Sequence, residues 1–189
     1  MNLHFRLLWL FFKRWLQQRK GSFDRSAFDP TQTCRLGFRV LPHDCDANLH
    51  LTSSRYFAMM DICRVDWLLS VCSWKLLIKE RWKYVVNAQE ITYIRELKPF
   101  ARFEIKSRLL GWDEKYFYVE HRVVRHGRLH AIAHIRAACV KNGKVLNFGD
   151  VLETCGFAME ARELPEAIGL WQELLDHKKW VNKKPVSSE

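Results

Sequence analysis

The chain has 189 residues, 48% of them apolar and 28% charged, with eight glycines, five prolines and six cysteines. That balance supplies one buried core and excludes disorder, collagen, a coiled coil, a repeat array and a disulfide-stapled miniprotein. The net charge of +10 favours anionic partners (nucleic acid, anionic lipid or a phosphorylated cofactor) without choosing among them. The charge is uneven: +6 over residues 1–40, −1 over 41–80, +8 over 81–144 and −3 over 145–189.

Residues 1–20 open with an apolar run from Leu7 to Phe12 only. A spanning helix needs about 20 apolar residues, and no small-residue cleavage site follows, so neither a membrane span nor a secretory leader is expected. As a helix, the segment sets Arg6, Lys13, Gln17 and Lys20 on one stripe and Phe5, Leu8, Phe12, Trp15 and Leu16 opposite. Tryptophan with basic residues on such a helix suits a membrane surface; packing on the domain or on a second subunit is the other reading. Residues 21–34 are polar, with Gly21, Asp24, Asp29 and Pro30, and read as a linker.

Arg35 to Leu41 alternates as a first strand, which Pro42 ends, and 42–53 form a polar loop. From Ser54 the residues Tyr56, Met60, Cys63, Trp67 and Val71 recur at helical spacing, with Thr52, Ser53 or Ser54 as the cap. Apolar residues cover most of this helix, so something must enclose it. Asp61 and Arg64 lie three apart and pair along it. After Lys79 the period turns to two. Four strands follow, around 85–97, 102–109, 117–123 and 129–139, separated by Lys98-Pro99, Gly111 to Glu114, His126-Gly127 and Asn142-Gly143. Read as consecutive hairpins, they predict a four-strand antiparallel meander. The layout is α+β, a curved antiparallel sheet around a central helix over 35–160. A last helix within 161–189 begins at Pro165, with Ile168, Trp171, Leu174 and Leu175 as its stripe.

The cysteines at 34, 45, 63, 72, 139 and 155 form no C-x-x-C pair and read as reduced, partly buried thiols of a cytosolic protein. Cys45 is a poor nucleophile candidate, because the flanking Asp44 and Asp46 raise its pKa. His126, His130 and His134 are spaced by four, but on a strand four residues span about 13 Å. That is too far for one zinc, whose Zn–N bonds are about 2.0–2.1 Å. Asp44-x-Asp46 lacks a third acidic ligand nearby in sequence. No metal is expected, and no Walker or dinucleotide-binding glycine pattern occurs.

The chemistry concentrates in residues 41–64, LPHDCDANLHLTSSRYFAMMDICR. A helix start carries unpaired N–H groups and partial positive charge, which polarise a carbonyl. A carboxylate beside it can activate water or attack the carbonyl carbon. Asp44, Asp46, His50, Tyr56, Asp61 and Arg64 stand in register with the pattern D-x-D-x-x-x-H-x-N-N-x-x-Y, then an acidic residue and an arginine three later. With the Leu-Leu-Gly-Trp-Asp segment at 109–113, this resembles the hotdog-fold acyl-CoA thioesterases over about 35–160. The likeness is to the 4-hydroxybenzoyl-CoA thioesterase-like branch, and within it to small proteins carrying a hydrophobic amino-terminal segment. The chain departs from the pattern at Thr52 and Ser53, in place of paired asparagines, and at Leu49, where many relatives have glycine. Leucine resists positive φ, so an altered loop backbone is expected there.

The resemblance implies a hotdog fold with added N- and C-terminal helices. It makes Asp46 the catalytic base or nucleophile, puts His50 near the reacting carbonyl, and gives Thr52, Ser53 and Tyr56 to substrate positioning. Asp44 reads as structural. The substrate implied is an acyl-CoA or acyl carrier protein thioester, so coenzyme A enters as substrate and no cofactor is needed. Arg95, Lys98, Arg102 and Arg108 are candidates for its phosphates, each also readable as a solvated face. The active site would lie at a subunit interface, in a homodimer or homotetramer, cytoplasmic and possible to place peripherally on a membrane through 1–20. The competing reading is a non-catalytic hotdog protein that binds an acyl thioester or a membrane surface. With no nucleic-acid motif and no basic–aromatic groove, no nucleic-acid partner is expected.

Overall fold

The computed structural model describes residues 2–19 and 28–182. Residues 21–27 of the expected linker, together with Lys20 and the tail beyond 182, lie outside the described residues. In chain order the elements are α1 (Asn2–Arg19), β1 (Cys34–Arg39), a 3-10 turn (Pro42–Asp44), α2 (Ser53–Val71), α3 (Trp74–Glu80), β2 (Lys83–Tyr93) and β3 (Arg102–Trp112). Then come β4 (Phe117–Arg125), β5 (Arg128–Lys141), β6 (Lys144–Leu146), α4 (Phe148–Thr154) and α5 (Glu166–Asn182).

The strands form one antiparallel sheet in the order β1-β3-β4-β5-β2, with β6 on β5. The expected meander therefore holds only from β3 to β5. Strand β2 pairs with β5 at one edge, not with β3. Lys98-Pro99 is no hairpin: the chain crosses there past the start of α2. Leu97 accepts from Leu51 N at 2.8 Å and is fully buried, and residues 100–101 exchange backbone hydrogen bonds with Val40. Turn residues mark where a strand stops and carry nothing about which edge the chain joins next. The other three turns close hairpins as read. His126-Gly127 and Asn142-Gly143 hold both central residues at positive φ, the backbone that matches the twist of the flanking strands.

Register shifts at Val86/Ala88, Leu109/Gly111 and Val123/Val124 bend the sheet. Its concave face wraps α2. Met59, Met60, Cys63, Trp67 and Val71 of α2 are buried against Ile105, Leu109, Phe117, Val119, Val123 and Ala133. Phe117 stacks on Phe148 of α4 at 4.3 Å between ring centroids, and Trp67 stacks on both. Cys63, Cys72, Cys139 and Cys155 are buried, and Cys34 and Cys45 half-buried. Helix α5 lies on the outer face, with Ile168 against Leu110 and Tyr118 and Gln172 Nε2 donating to Tyr118 Oη at 2.7 Å. Leu174, expected on its buried stripe, is exposed.

Helix α1 packs on the domain through Arg6 of the expected basic stripe and not through the apolar stripe. Arg6, Leu10 and Arg14, at i, i+4 and i+8, face inward. Leu10 is buried, Arg6 donates to Asp44 Oδ2 at 2.7 Å, and Arg14 to Asp66 Oδ1 at 2.6 Å and Ser70 Oγ at 2.7 Å. Phe5, Leu8, Trp9 and Phe12 are exposed. Asp44 and Asp66 are buried carboxylates that need partners, and that need turns the two arginines toward the protein. Among the described residues no helix is long and apolar enough to cross a membrane.

Candidate functional site

The loop before α2 is built by its own short-range hydrogen bonds. Asp46 N donates to His50 O and Leu49 N to Asp46 O, each at 3.0 Å, and Cys45 bridges to Leu51. Asp46 Oδ1 accepts from Asn48 N at 2.9 Å, an Asx turn. Its other oxygen, Oδ2, lies 3.3 Å from His50 Nδ1. Both side chains are about one third exposed, so the carboxylate is held yet reachable. Leu49 takes φ +56°. Leucine therefore holds a left-handed backbone here, with the side chain turned outward, 69% exposed.

Asp44 sits beneath, 1% exposed. It accepts from Leu41 N at 3.0 Å and from Arg6, and Arg55 Nε stands 3.7 Å away. Its carbonyl receives Thr52 N at 3.0 Å. Asp44 thus ties the loop to α1 and to the first turn of α2 together.

Helix α2 begins at Ser53, one residue before the expected start, with Thr52 as N-cap but without a side-chain cap hydrogen bond. The Thr52 side chain leaves the first N–H groups of the helix unclaimed, so its positive pole is available to a bound oxygen. It opens on a hollow of about 350 Å³ lined by Asp46, His50, Leu51, Ser53 and Tyr56 on one side and Tyr93 to Glu96 on the other. Asp46, His50, Ser53 and Tyr56 are thus brought together, whereas Thr52 does not line the hollow. Tyr56 and Tyr93 meet edge to face at 5.2 Å. Burial, with Tyr93 beside it, pushes the Tyr56 phenol up to about 12, so it stays protonated and can donate. Cys45 lines none of this hollow, and burial with Asp44 and Asp46 nearby raises its thiol pKa.

Apart from Arg95, the far wall was missed in the sequence. Tyr93 reads there as an ordinary strand residue, and only the crossover at 94–101 brings it and Glu96 to the loop. Arg95 lines the hollow while donating to Leu129 O at 2.7 Å. Lys98 and Arg102 line a neighbouring basic hollow with Arg125 and His126. Arg108 stands on the outer face, bonded to Glu120 at 2.8 Å. Among the described residues no group of three His, Cys, Asp or Glu side chains could hold a metal ion. His130 Nδ1 instead lies 3.0 Å from Glu96 O, and His134 is bonded to Glu90.

A family model described as the thioesterase-like superfamily matches residues 40–172. The Saccharomyces cerevisiae probable thioesterase YBR096W is 31% identical over 122 residues, covering 63% of this chain and 53% of that protein. Protein THEM6 of Xenopus laevis is 32% identical over 136 residues, 70% of this chain and 63% of that protein. The chain therefore spans less than two thirds of the length of these relatives. The Escherichia coli probable thioesterase YbaW superposes with a TM-score of 0.60 at 21% identity, covering 66% of this chain and 97% of that one. Staphylococcus aureus SAV2348, solved in complex with CoA, superposes with a TM-score of 0.60 at 16% identity, covering 74% of this chain and 93% of that one. At such identities the two structures establish a shared fold.

Proposed function

The chain belongs to the thioesterase-like superfamily, and on that footing we propose that it hydrolyses an acyl-CoA thioester to the free acid and the thiol. One observation carries the reading: a reachable carboxylate, Asp46, and the uncapped start of α2 face the same hollow. The thioester carbonyl oxygen lies at the helix start, near Ser53 and Tyr56, where N–H groups and the helix dipole favour developing negative charge. Asp46 Oδ2 takes a proton from water as its oxygen attacks the carbonyl carbon, or attacks that carbon itself and is released by water. His50 holds the carboxylate in position from 3.3 Å. The C–S bond breaks, and the thiolate, whose acid has a pKa of about 8.5, leaves without a strong general acid. Arg95, Lys98 and Arg102 supply positive charge near the mouth for the phosphates of coenzyme A; an acyl carrier protein is the other carrier this chemistry accepts. Thiol release measured over a panel of acyl-CoA chain lengths, with Asp46→Asn as control, tests the reading.

Two features support an assembly around this site. Strand β2 is a sheet edge of 11 residues with Val85, Val86 and Tyr93 exposed, which suits pairing with a second copy. The exposed aromatic face of α1 supports peripheral contact with a membrane surface, with the protein otherwise cytoplasmic. A non-catalytic acyl-binding role is the second reading. It is favoured by Thr52, which stands outside the hollow, and it predicts binding without thiol release.

A further inference from the structure

A second hollow, of about 250 Å³, lies between α2 and the sheet, farther along the helix. Trp67, Tyr84, Val86, Phe117, Val119 and Ala137 make its apolar wall. Ser53, Phe57, Asp61, Arg64 and Leu68 recur along one face of α2. The hollow at Asp46 pairs the start of this stripe with the end of β2 at Tyr93, and the second pairs its later turns with Tyr84 and Val86. The two hollows therefore lie in one line between α2 and β2.

The second hollow has one polar feature that the apolar wall does not explain. Arg64 is largely buried; its Nη2 pairs with Asp61, but its Nη1 is buried and has no hydrogen-bond partner among the described residues. Burial pushes this guanidinium down to about 10, so it remains a donor at neutral pH. Behind it His121, fully buried on β4 two residues from Val119, has an equally unpartnered Nε2. Its Nδ1 is held by Ser107 Oγ at 2.7 Å. Burial, reinforced by the Arg64 charge, pushes the imidazole down to about 3, leaving it neutral. An unmet buried donor is costly and strongly selects whatever meets it. Since Asp61 already neutralises Arg64, the fitting partner is a neutral oxygen, a hydroxyl or keto group, and not a second carboxylate.

We propose that this hollow receives the far end of the acyl chain and that Arg64 Nη1 selects acyl groups bearing a hydroxyl or keto oxygen there. This rests on the thioesterase reading of the Asp46 site and names its substrate class. From Ser53 to Arg64 the helix rises about 16 Å, which an extended chain spans in roughly 13 bonds at about 1.2 Å each. A cavity of about 150 Å³ already admits a benzene ring, so the volume suffices for a chain end with its oxygen.

Binding of dodecanoic and 12-hydroxydodecanoic acids by calorimetry, beside thiol release from their CoA thioesters, tests this in the full chain. The wild type should bind the hydroxy acid about tenfold more tightly, and Arg64→Met should bind the two equally. Equal affinities in the wild type, or a preference that survives in Arg64→Met, would overturn the inference. Ala137→Phe, which fills the hollow from its floor, should lose both twelve-carbon ligands and keep turnover of hexanoyl-CoA. Long-chain binding retained in that variant would overturn the placement. A binding preference without thiol release supports this inference and defeats the hydrolytic reading; thiol release without a preference does the reverse.

Discussion

Asp46 divides its carboxylate between two tasks. Oδ1 closes the Asx turn on Asn48 N, and Oδ2 faces His50 and the hollow. Asparagine can keep the first task and loses the second, so Asp46→Asn separates chemistry from loop structure in a way that Asp46→Ala would not. Three residues on, Leu49 holds a left-handed backbone at φ +56° with an exposed side chain. Such a conformation costs a non-glycine residue about 1–2 kcal/mol, and the extra freedom of glycine when unfolded returns part of that. Leu49→Gly should therefore raise stability by about 0.5–1 kcal/mol in urea titration, and a fall would show that the leucine side chain contributes packing. The near wall of the site was legible because Asp46, His50, Ser53 and Tyr56 are neighbours in sequence, with local turn and helix chemistry to place them. Tyr93 and Glu96 were not legible, and Arg95 was named for its charge alone, because no local signal says that the chain crosses beside the loop at 94–101.

At the scale of elements, α1 shows why a helical pattern identifies a helix but not its orientation. The stripes were visible in the sequence, but nothing local to the helix says which of them faces the domain. Asp44 and Asp66 are buried and draw Arg6 and Arg14 in, which turns the aromatic stripe outward. That outward face is the basis for the membrane proposal. Replacing Phe5, Leu8, Trp9 and Phe12 together by serine leaves Arg6, Leu10 and Arg14 in place and removes the apolar face. Each large apolar side chain is worth about 1.5–3 kcal/mol on burial, so flotation with phosphatidylserine-containing vesicles should be lost. Undiminished flotation of the variant, with helicity retained, would contradict the proposal. Helix α2 was legible to within one residue, since a helix that is apolar nearly all round has only an enclosed position to occupy.

Across the whole molecule, the outer face of the sheet carries a charge network centred on Glu120. Burial alone would raise this carboxyl's pKa, but bonds from His134, Arg122 and Arg108 overcome it and hold it down to about 2. The stability it confers is present above its ordinary value near 4.5 and is lost as pH falls toward 2. His134, whose bond to Glu120 and then Glu90 outweighs burial, has a raised pKa; its contribution is complete below about 6.5 and fades as pH rises through the folded value. Glu120→Gln should therefore cost most stability near pH 5.5, and less at pH 3 and at pH 8.5, in urea midpoints. A cost independent of pH would contradict this assignment. The curved α+β architecture was legible from periodicity, but its strand order was not, because β2 and β5 pair across about 50 residues of chain. If the exposed edge of β2 joins two copies, light scattering should give at least a dimer, and a monomer at micromolar concentration would contradict that assembly.

Hydrolysis at Asp46 underlies every role assigned to the hollow. Purified wild-type chain should release free thiol from an acyl-CoA, and Asp46→Asn should lower kcat by about a thousandfold with its unfolding midpoint unchanged. Equal thiol release by the folded Asp46→Asn variant would contradict it.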